Sequence, residues 1–317
     1  MKFTKYIAAA AVSAAFIAAP ASAATMGMAD LAITGLIILN ANNAPVTNGI
    51  VIQNENRTGT ANSNFNNAEG MGQGSGNIFS TTIGGTVDVK NRCAGPSCGA
   101  AMPAGNYPGG VENNFTAHIA APNGNYALGD MYIAGTALGV TGANGLTRAD
   151  SSVMTNGNAG SANATIANSA TSITTFTVGN TLQAKFALGY NAYVAAFVDA
   201  ALGVNGSSLA TISWALSLQE VIGNVSTTIM NWSPSEINNG VTSSDPSQNS
   251  IQETSGTTLS NLVTLTGGRT YKLTINQASN SIASEVRAVP EPGSMVLVGL
   301  GLLALGAASR RKAKAVK

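Results

Sequence analysis

Apolar and polar residues alternate with a period of two through the second half of the chain. Leu182, Ala184, Phe186 and Leu188 are separated by Gln183, Lys185 and Ala187, and Ile212, Trp214, Leu216 and Leu218 by Ser213, Ala215 and Ser217. Tyr271, Leu273 and Ile275 repeat the pattern around Lys272, Thr274 and Asn276. Successive side chains on a strand point to opposite faces, so this pattern predicts strands with one buried and one wet face. Several such strands joined by short turns predict an all-β antiparallel β-sandwich, with jelly-roll and immunoglobulin-like topologies both open. Phe176 and Val178 before Gly179-Asn180 predict a hairpin into the Leu182 strand, and residues 193–198 continue the meander. Residues 162–170 are alanine-rich without a helical stripe and read as strand. Ser233 and Pro234 form a capping signature that predicts one short helix over residues 232–237. Residues 240–257 read as a polar loop.

Residues 24–168 are richer in loop signals. Residues 31–39 and 49–52 read as strands, the first with Gly35 as a bulge. Residues 86–90 and 114–120 are further short strand candidates. Residues 53–80 are rich in Asn and Gly and read as loop. Their glycine string at 70–76 lacks the strand, helix and lysine that a phosphate-binding loop requires. Six Asn-Gly pairs, at Asn48, Asn123, Asn144, Asn156, Asn205 and Asn239, suit the positive φ of tight hairpin turns and argue for antiparallel connections.

The two ends have a different character. Lys2 and Lys5 precede an apolar stretch over residues 7–19, and Pro20 leads into Ala21-Ser22-Ala23, an A-x-A cleavage pattern. An export signal helix over residues 1–23 and a mature chain beginning at Ala24 are therefore expected. At the other end, Pro290-Glu291-Pro292 precedes an apolar run over residues 295–308 and a basic stop of Arg310, Arg311 and Lys312. As a helix that run would rise about 21 Å against a hydrocarbon core of about 30 Å. Flanking residues and snorkelling lysines can supply the difference in a short membrane helix. The cations after it should stay cytoplasmic, which puts residues 24–289 outside the inner membrane.

This tail resembles the sorting segment of PEP-CTERM proteins of Gram-negative bacteria, through Pro290, Glu291 and Pro292, the apolar run and the Arg310-Arg311-Lys312 end. Residues 171–287 also look like the β-rich bodies of some exosortase-dependent surface proteins. The resemblance implies recognition of the motif by exosortase, a transient inner-membrane intermediate, and delivery to the cell surface or an exopolysaccharide matrix. Retention of the tail as a lasting anchor is the alternative.

Charge and chemistry narrow the rest. Both ends are basic; between Ala24 and Pro292 eight Lys and Arg face 14 Asp and Glu, a net charge of −6. No basic cluster survives there, which argues against nucleic acid as a partner. Cys93 and Cys98 flank a Gly-Pro turn in an exported chain and predict a local disulfide, worth about 2 kcal/mol for so short a loop. Four residues separate the thiols, which does not fit a redox motif.

His118 is the only histidine, and no serine lies in a nucleophile-elbow context, so a catalytic triad is not expected. His118 reads as an exposed strand position. Carboxylates at Asp130, Asp150, Asp199, Glu220 and Glu236 are dispersed singly and offer no recognisable glycosidase pair, although a hydrolase remains an alternative. Asn144, Asp150, Ser151 and Asn156 supply oxygens that would suit a structural calcium, without an EF-hand pattern; no other cofactor and no metal ligand set is expected. Trp214 reads as core, and Trp232 as a loop platform on which a sugar ring could stack, the basis for a carbohydrate-binding module as second alternative. The domain reading is a signal peptide at 1–23, an extracytoplasmic body at 24–288 (24–168 loop-rich, 169–288 strongly alternating) and a sorting segment at 289–317. The functional expectation is a non-enzymatic surface or matrix protein, structural or adhesive in biofilm or exopolysaccharide.

Overall fold

The computed structural model describes residues 23–287, except 47, 68–69, 99–112, 114, 116–117, 119–121, 123, 156–158 and 200–203. The signal segment before Ala23, the Pro290-Glu291-Pro292 motif and the basic stop lie outside the described residues, as do the helices expected at both ends.

Two antiparallel sheets pack face to face, as the alternation requires. The strands are β1 (Ala23–Asn40), β2 (Ile50–Asn67), β3 (Gly70–Ser80), β4 (Val87–Ala94), β5 (Tyr126–Gly135), β6 (Ala143–Thr155) and β7 (Gly160–Val178). They continue with β8 (Leu182–Asp199), β9 (Val204–Ile222), β10 (Val225–Trp232), β11 (Asn239–Ser243), β12 (Ser250–Leu259), β13 (Val263–Leu265) and β14 (Thr270–Arg287). Sheet A has the order β12-β8-β1-β6-β5-β4, with β13 also on β8. Sheet B runs β10-β9-β14-β7-β2-β3, with β11 also on β9. The first and last strands thus sit inside the two sheets rather than at their edges.

Six strands have 18 or 19 residues. At about 3.3 Å per residue each spans roughly 60 Å, so the sandwich is long and narrow. Its two ends differ. Ala24 pairs with Asp199 and Arg287 with Val204, and residues 200–203 join those partners. Ala23 pairs with Thr155 and Glu285 with Gly160, another closely linked couple. Both ends of the body therefore leave from one pole. The connections at residues 41–49, 179–181, 223–224 and 266–269 form the opposite pole.

Trp214, Phe176, Phe186, Leu216, Leu218 and Leu273 are buried in one cluster with Phe65 and Ile166. Near the shared pole the sheets come closer. A Cβ on Gly27 would lie 2.6 Å from the Leu209 carbonyl oxygen and 3.0 Å from that of Ile282, both backbone atoms of sheet B. Gln277 of β14 ties the sheets by donating to the carbonyls of Leu31 (2.8 Å) and Gly145 (3.1 Å) and to Thr147 Oγ1 (3.0 Å). Buried amide groups are stable only when bonded in this way.

Several expectations change. Gly35 has φ +58°, and the register shifts there against both β6 and β8, so the bulge is present. The 53–80 stretch is not a loop: β2 continues to Asn67 and pairs with β3, which contains the glycine string. Side-chain-poor residues suit this edge hairpin because Gly76 lies against Val89 and Arg92 of β4. Gly179-Asn180 does not close a hairpin, since β7 and β8 belong to different sheets; Gly179 N instead donates to the Gly49 carbonyl at 2.7 Å. Residues 193–198 are the end of β8 itself. Residues 233–237 form a single turn, in which Ile237 N and Asn238 N both donate to the Pro234 carbonyl, and no helix continues from it. The 240–257 loop contains most of β11, a 3-10 turn at Pro246–Gln248 and most of β12.

Of the described Asn-Gly pairs, only Asn48-Gly49 sits in a turn; Asn144, Asn205 and Asn239 lie within strands. The β9–β10 hairpin turns instead on Gly223-Asn224, with Gly223 at φ +60°. Phe115 and His118, from the 114–120 strand candidate, are outside any strand.

Candidate functional site

A second buried layer lies on the outer face of sheet A. On β1, Ala29, Leu31 and Ile33 face sheet B, so Met28 and Asp30 face outward; yet both are buried. The antiparallel register places Asp150 beside Met28, and Arg148 between Asp30 and Asp130. On the other side Tyr193 pairs with Asp30 and Ala195 with Met28. Asn113 and His118 of the β4–β5 connection lie against this face. Phe115 is buried, Asn113 and His118 are partly buried, and the Cys93–Cys98 disulfide packs on Tyr126 and Leu128.

Within this layer Arg148 Nε donates to Asp150 Oδ2 at 2.7 Å, both side chains fully buried. They are two residues apart on one strand, which puts them on one face. His118 Nε2 lies 3.3 Å from Asp30 Oδ2, and its ring stacks on Tyr193 with centroids 3.6 Å apart. Asn113, at φ +56°, donates its N–H to Asp130 Oδ2 at 3.1 Å and its amide Nδ2 to Asp88 Oδ2 at 3.4 Å.

The electrostatics follow from this burial. Desolvation raises the Asp30 carboxyl to about 6, against the opposing pull of the His118 hydrogen bond and of Arg148. Burial also disfavours a charged Arg148, but Asp150 and Asp30 outweigh it and hold the guanidinium above its ordinary value. Tyr126 is pushed well up by burial and by Asp150, and so stays protonated. One buried cation thus sits among three buried carboxyl groups, and the β4–β5 segment is docked on them through His118 and Asn113.

A similar pair lies between the sheets. Glu55 and Arg57, again two apart, form a buried ion pair at 2.8 Å. Glu55 accepts from Gly84 N (2.6 Å) and Thr174 Oγ1 (2.9 Å), while Arg57 donates to the carbonyls of Gly85 and Gly135. Next to it, lined by Trp214, Gln277 and Asn144 among others, is a cavity of about 30 Å³. That is room for a water or two rather than a sugar ring.

The residues singled out in the sequence distribute as follows. Cys93 and Cys98 form the disulfide, with Cα atoms 5.5 Å apart. Ala23 and Ala24 open β1. His118 is partly buried and bonded rather than exposed on a strand. Asp130 and Asp150 are not dispersed but share the covered face with Asp30, whereas Glu236 and Asp199 lie elsewhere. Among the oxygens considered for calcium, Asn144 accepts from Gly35 N at 3.0 Å and Asp150 is committed to Arg148. No cluster of three His, Cys, Asp or Glu suited to a metal occurs among the described residues.

Trp214 is buried, as expected. Trp232 ends β10 and packs edge-on against it at 5.1 Å and 84°, so it is part of the packing rather than a loop platform. Asp30, Arg148, Glu55, Arg57 and Gln277 were not legible as a set, although opposite charges two residues apart in a chain with 9% charged residues are a usable signal.

The all-β body is followed directly by a distinct terminal segment. Residues 288–312 match the model of the PEP-CTERM protein-sorting motif. The motif marks the chain as an exosortase-sorted, exported and cell-surface-associated protein. Comparisons with curated proteins and with solved structures returned no match.

Proposed function

We infer that the mature chain is a structural or adhesive component of the cell surface or its exopolysaccharide matrix, without enzymatic activity. The observation that carries this reading is the position of the sorting motif. β14, an inner strand of sheet B, ends at Arg287, and only two residues separate it from the motif at Pro290. β1 begins at Ala23 on the same pole, at the expected signal-peptidase site. The export signal and the sorting tail therefore both attach at one pole of the body, and the other pole stands about 60 Å away.

While the tail holds the membrane, the exosortase works at the near pole, and the opposite pole and the sandwich faces are presented to the surroundings. Removal of the tail frees the body for the matrix. The polar, net-negative surface favours solubility outside the cell. The buried acid-rich layer fastens the described residues of the β4–β5 connection, since Asp30 bonds to His118 and Asp130 accepts from Asn113 N–H.

Localisation of a Glu291→Ala variant tests the reading. The expected result is accumulation of uncut chain at the inner membrane and loss of surface material. Undiminished surface delivery with a cut tail would remove the motif from the mechanism.

A further inference from the structure

The edge of sheet A at β12 carries an interaction surface. Sheet edges expose unpaired backbone donors and acceptors, and proteins that must stay single blunt them with lysine, proline, bulges or a covering segment. The other edges here are managed in such ways. β4 is bulged between Val89 and Arg92, carries Lys90 and lies beside β3. β10 is only eight residues long and is bulged between Thr228 and Met230.

Among the described residues β12 has no lysine, proline or bulge, and the 233–238 turn meets only the face opposite Ile251 and Leu259, where Thr254 Oγ1 donates to the Glu236 carbonyl at 3.1 Å. Its pairing with β8 runs unbroken from Ser250 to Leu259, and its sequence SIQETSGTTL holds one charge, Glu253, and no proline. On its outer face Ile251 and Leu259 are 51% and 53% exposed.

The spacing on this strand is self-complementary. A two-fold axis perpendicular to the sheet at Ser255 pairs β12 with a second β12 in antiparallel register. Ile251 then lies opposite Leu259 of the other copy, and Leu259 opposite its Ile251. Glu253 faces Thr257, so the two carboxylates do not oppose each other. Apolar cross-strand pairs of this kind stabilise, and like charges directly opposite would not. Identical patches meeting about a two-fold axis close into a dimer rather than growing into a fibre.

We propose that β12 is the contact through which two copies of this chain join, merging their A sheets across an Ile251–Leu259 pair on each side of Ser255. The geometry has a consequence for display. Antiparallel pairing reverses the second copy, and in each copy both chain ends leave from one pole. The dimer therefore carries its attachment poles at opposite ends and suits bodies held on facing surfaces. This consequence rests on the proposed surface role; the pairing itself does not.

Ser255→Cys in the full chain, expressed in its own cells, places the new thiols on the axis, while Cys93 and Cys98 remain paired within each copy. The expected result is a disulfide-linked dimer of twice the monomer mass on a non-reducing gel, from Ser255→Cys but not from Thr257→Cys. Adding Ile251→Lys and Leu259→Lys, both at exposed positions, should abolish the link without unfolding the body, as checked by circular dichroism. A Ser255→Cys chain that stays monomeric, or that links equally well with both lysines present, would overturn the proposal. Mixing cells that carry differently tagged chains separates the two claims. Mixed dimers across cells support facing display, whereas dimers within one tag only would leave the pairing standing and contradict the display reading.

Discussion

Replacing Arg148 with Met is expected to destabilise the mature chain by about 3–5 kcal/mol, the usual cost of removing one partner from a buried ion pair. Asp150 would lose its 2.7 Å partner with no solvent to replace it. Asp30, already raised to about 6 by burial, would lose a stabilising positive neighbour as well. Protonation of both acids limits the damage but does not restore the bonds. The effect should be largely relieved in the Arg148→Met/Asp150→Leu double variant, because an apolar pair of similar volume needs no compensation there. Denaturant unfolding of residues 24–292 measures both. A loss below about 1 kcal/mol for the single variant, within the range of surface pairs, would contradict the buried-layer description.

Gly27→Val should be damaging on a similar scale, above about 3 kcal/mol, beyond the usual range for overpacking. The usual relief is a rotamer change, but here the nearest atoms are the backbone oxygens of Leu209 and Ile282 in the opposite sheet. Two strands of sheet B would have to retreat, opening the adjoining serine and alanine packing along with them. Gly35→Ala is the natural comparison. Its Cβ would point into open space, so only the positive φ of 58° opposes it, at roughly 1 kcal/mol. Thermal unfolding of the two variants should rank them in that order. Equal losses would show that the sheets do not approach as closely as described.

What the sequence disclosed and what it hid have physical causes. Strands with one apolar face were plain, because a period of two survives any choice of partner: the Leu182, Ile212 and Tyr271 runs are β8, β9 and β14. Partners were not plain. Gly179-Asn180 has the chemistry of a tight turn, and nothing local distinguishes a hairpin from a crossing between sheets. Asn-Gly pairs misled in the same way, since an Asn-Gly at the start of a strand is tolerated once neighbouring strands supply its backbone bonds. The covered outer face of sheet A left a trace that was read too narrowly. The near-continuous apolar run at residues 193–198 is what burial on both faces produces, and alternation alone cannot express it. The E-x-R and R-x-D spacings at Glu55–Arg57 and Arg148–Asp150 were a second trace, invisible while charges were weighed singly. The disulfide was local enough to be expected from spacing and compartment together, and the sorting motif needed no fold at all.

Intact-mass measurement on protein recovered from the cell surface tests the central claim most directly. A chain that begins at Ala24 and lacks the apolar run and basic stop of residues 295–317 is the expected result. A surface population that still carries that tail would contradict it.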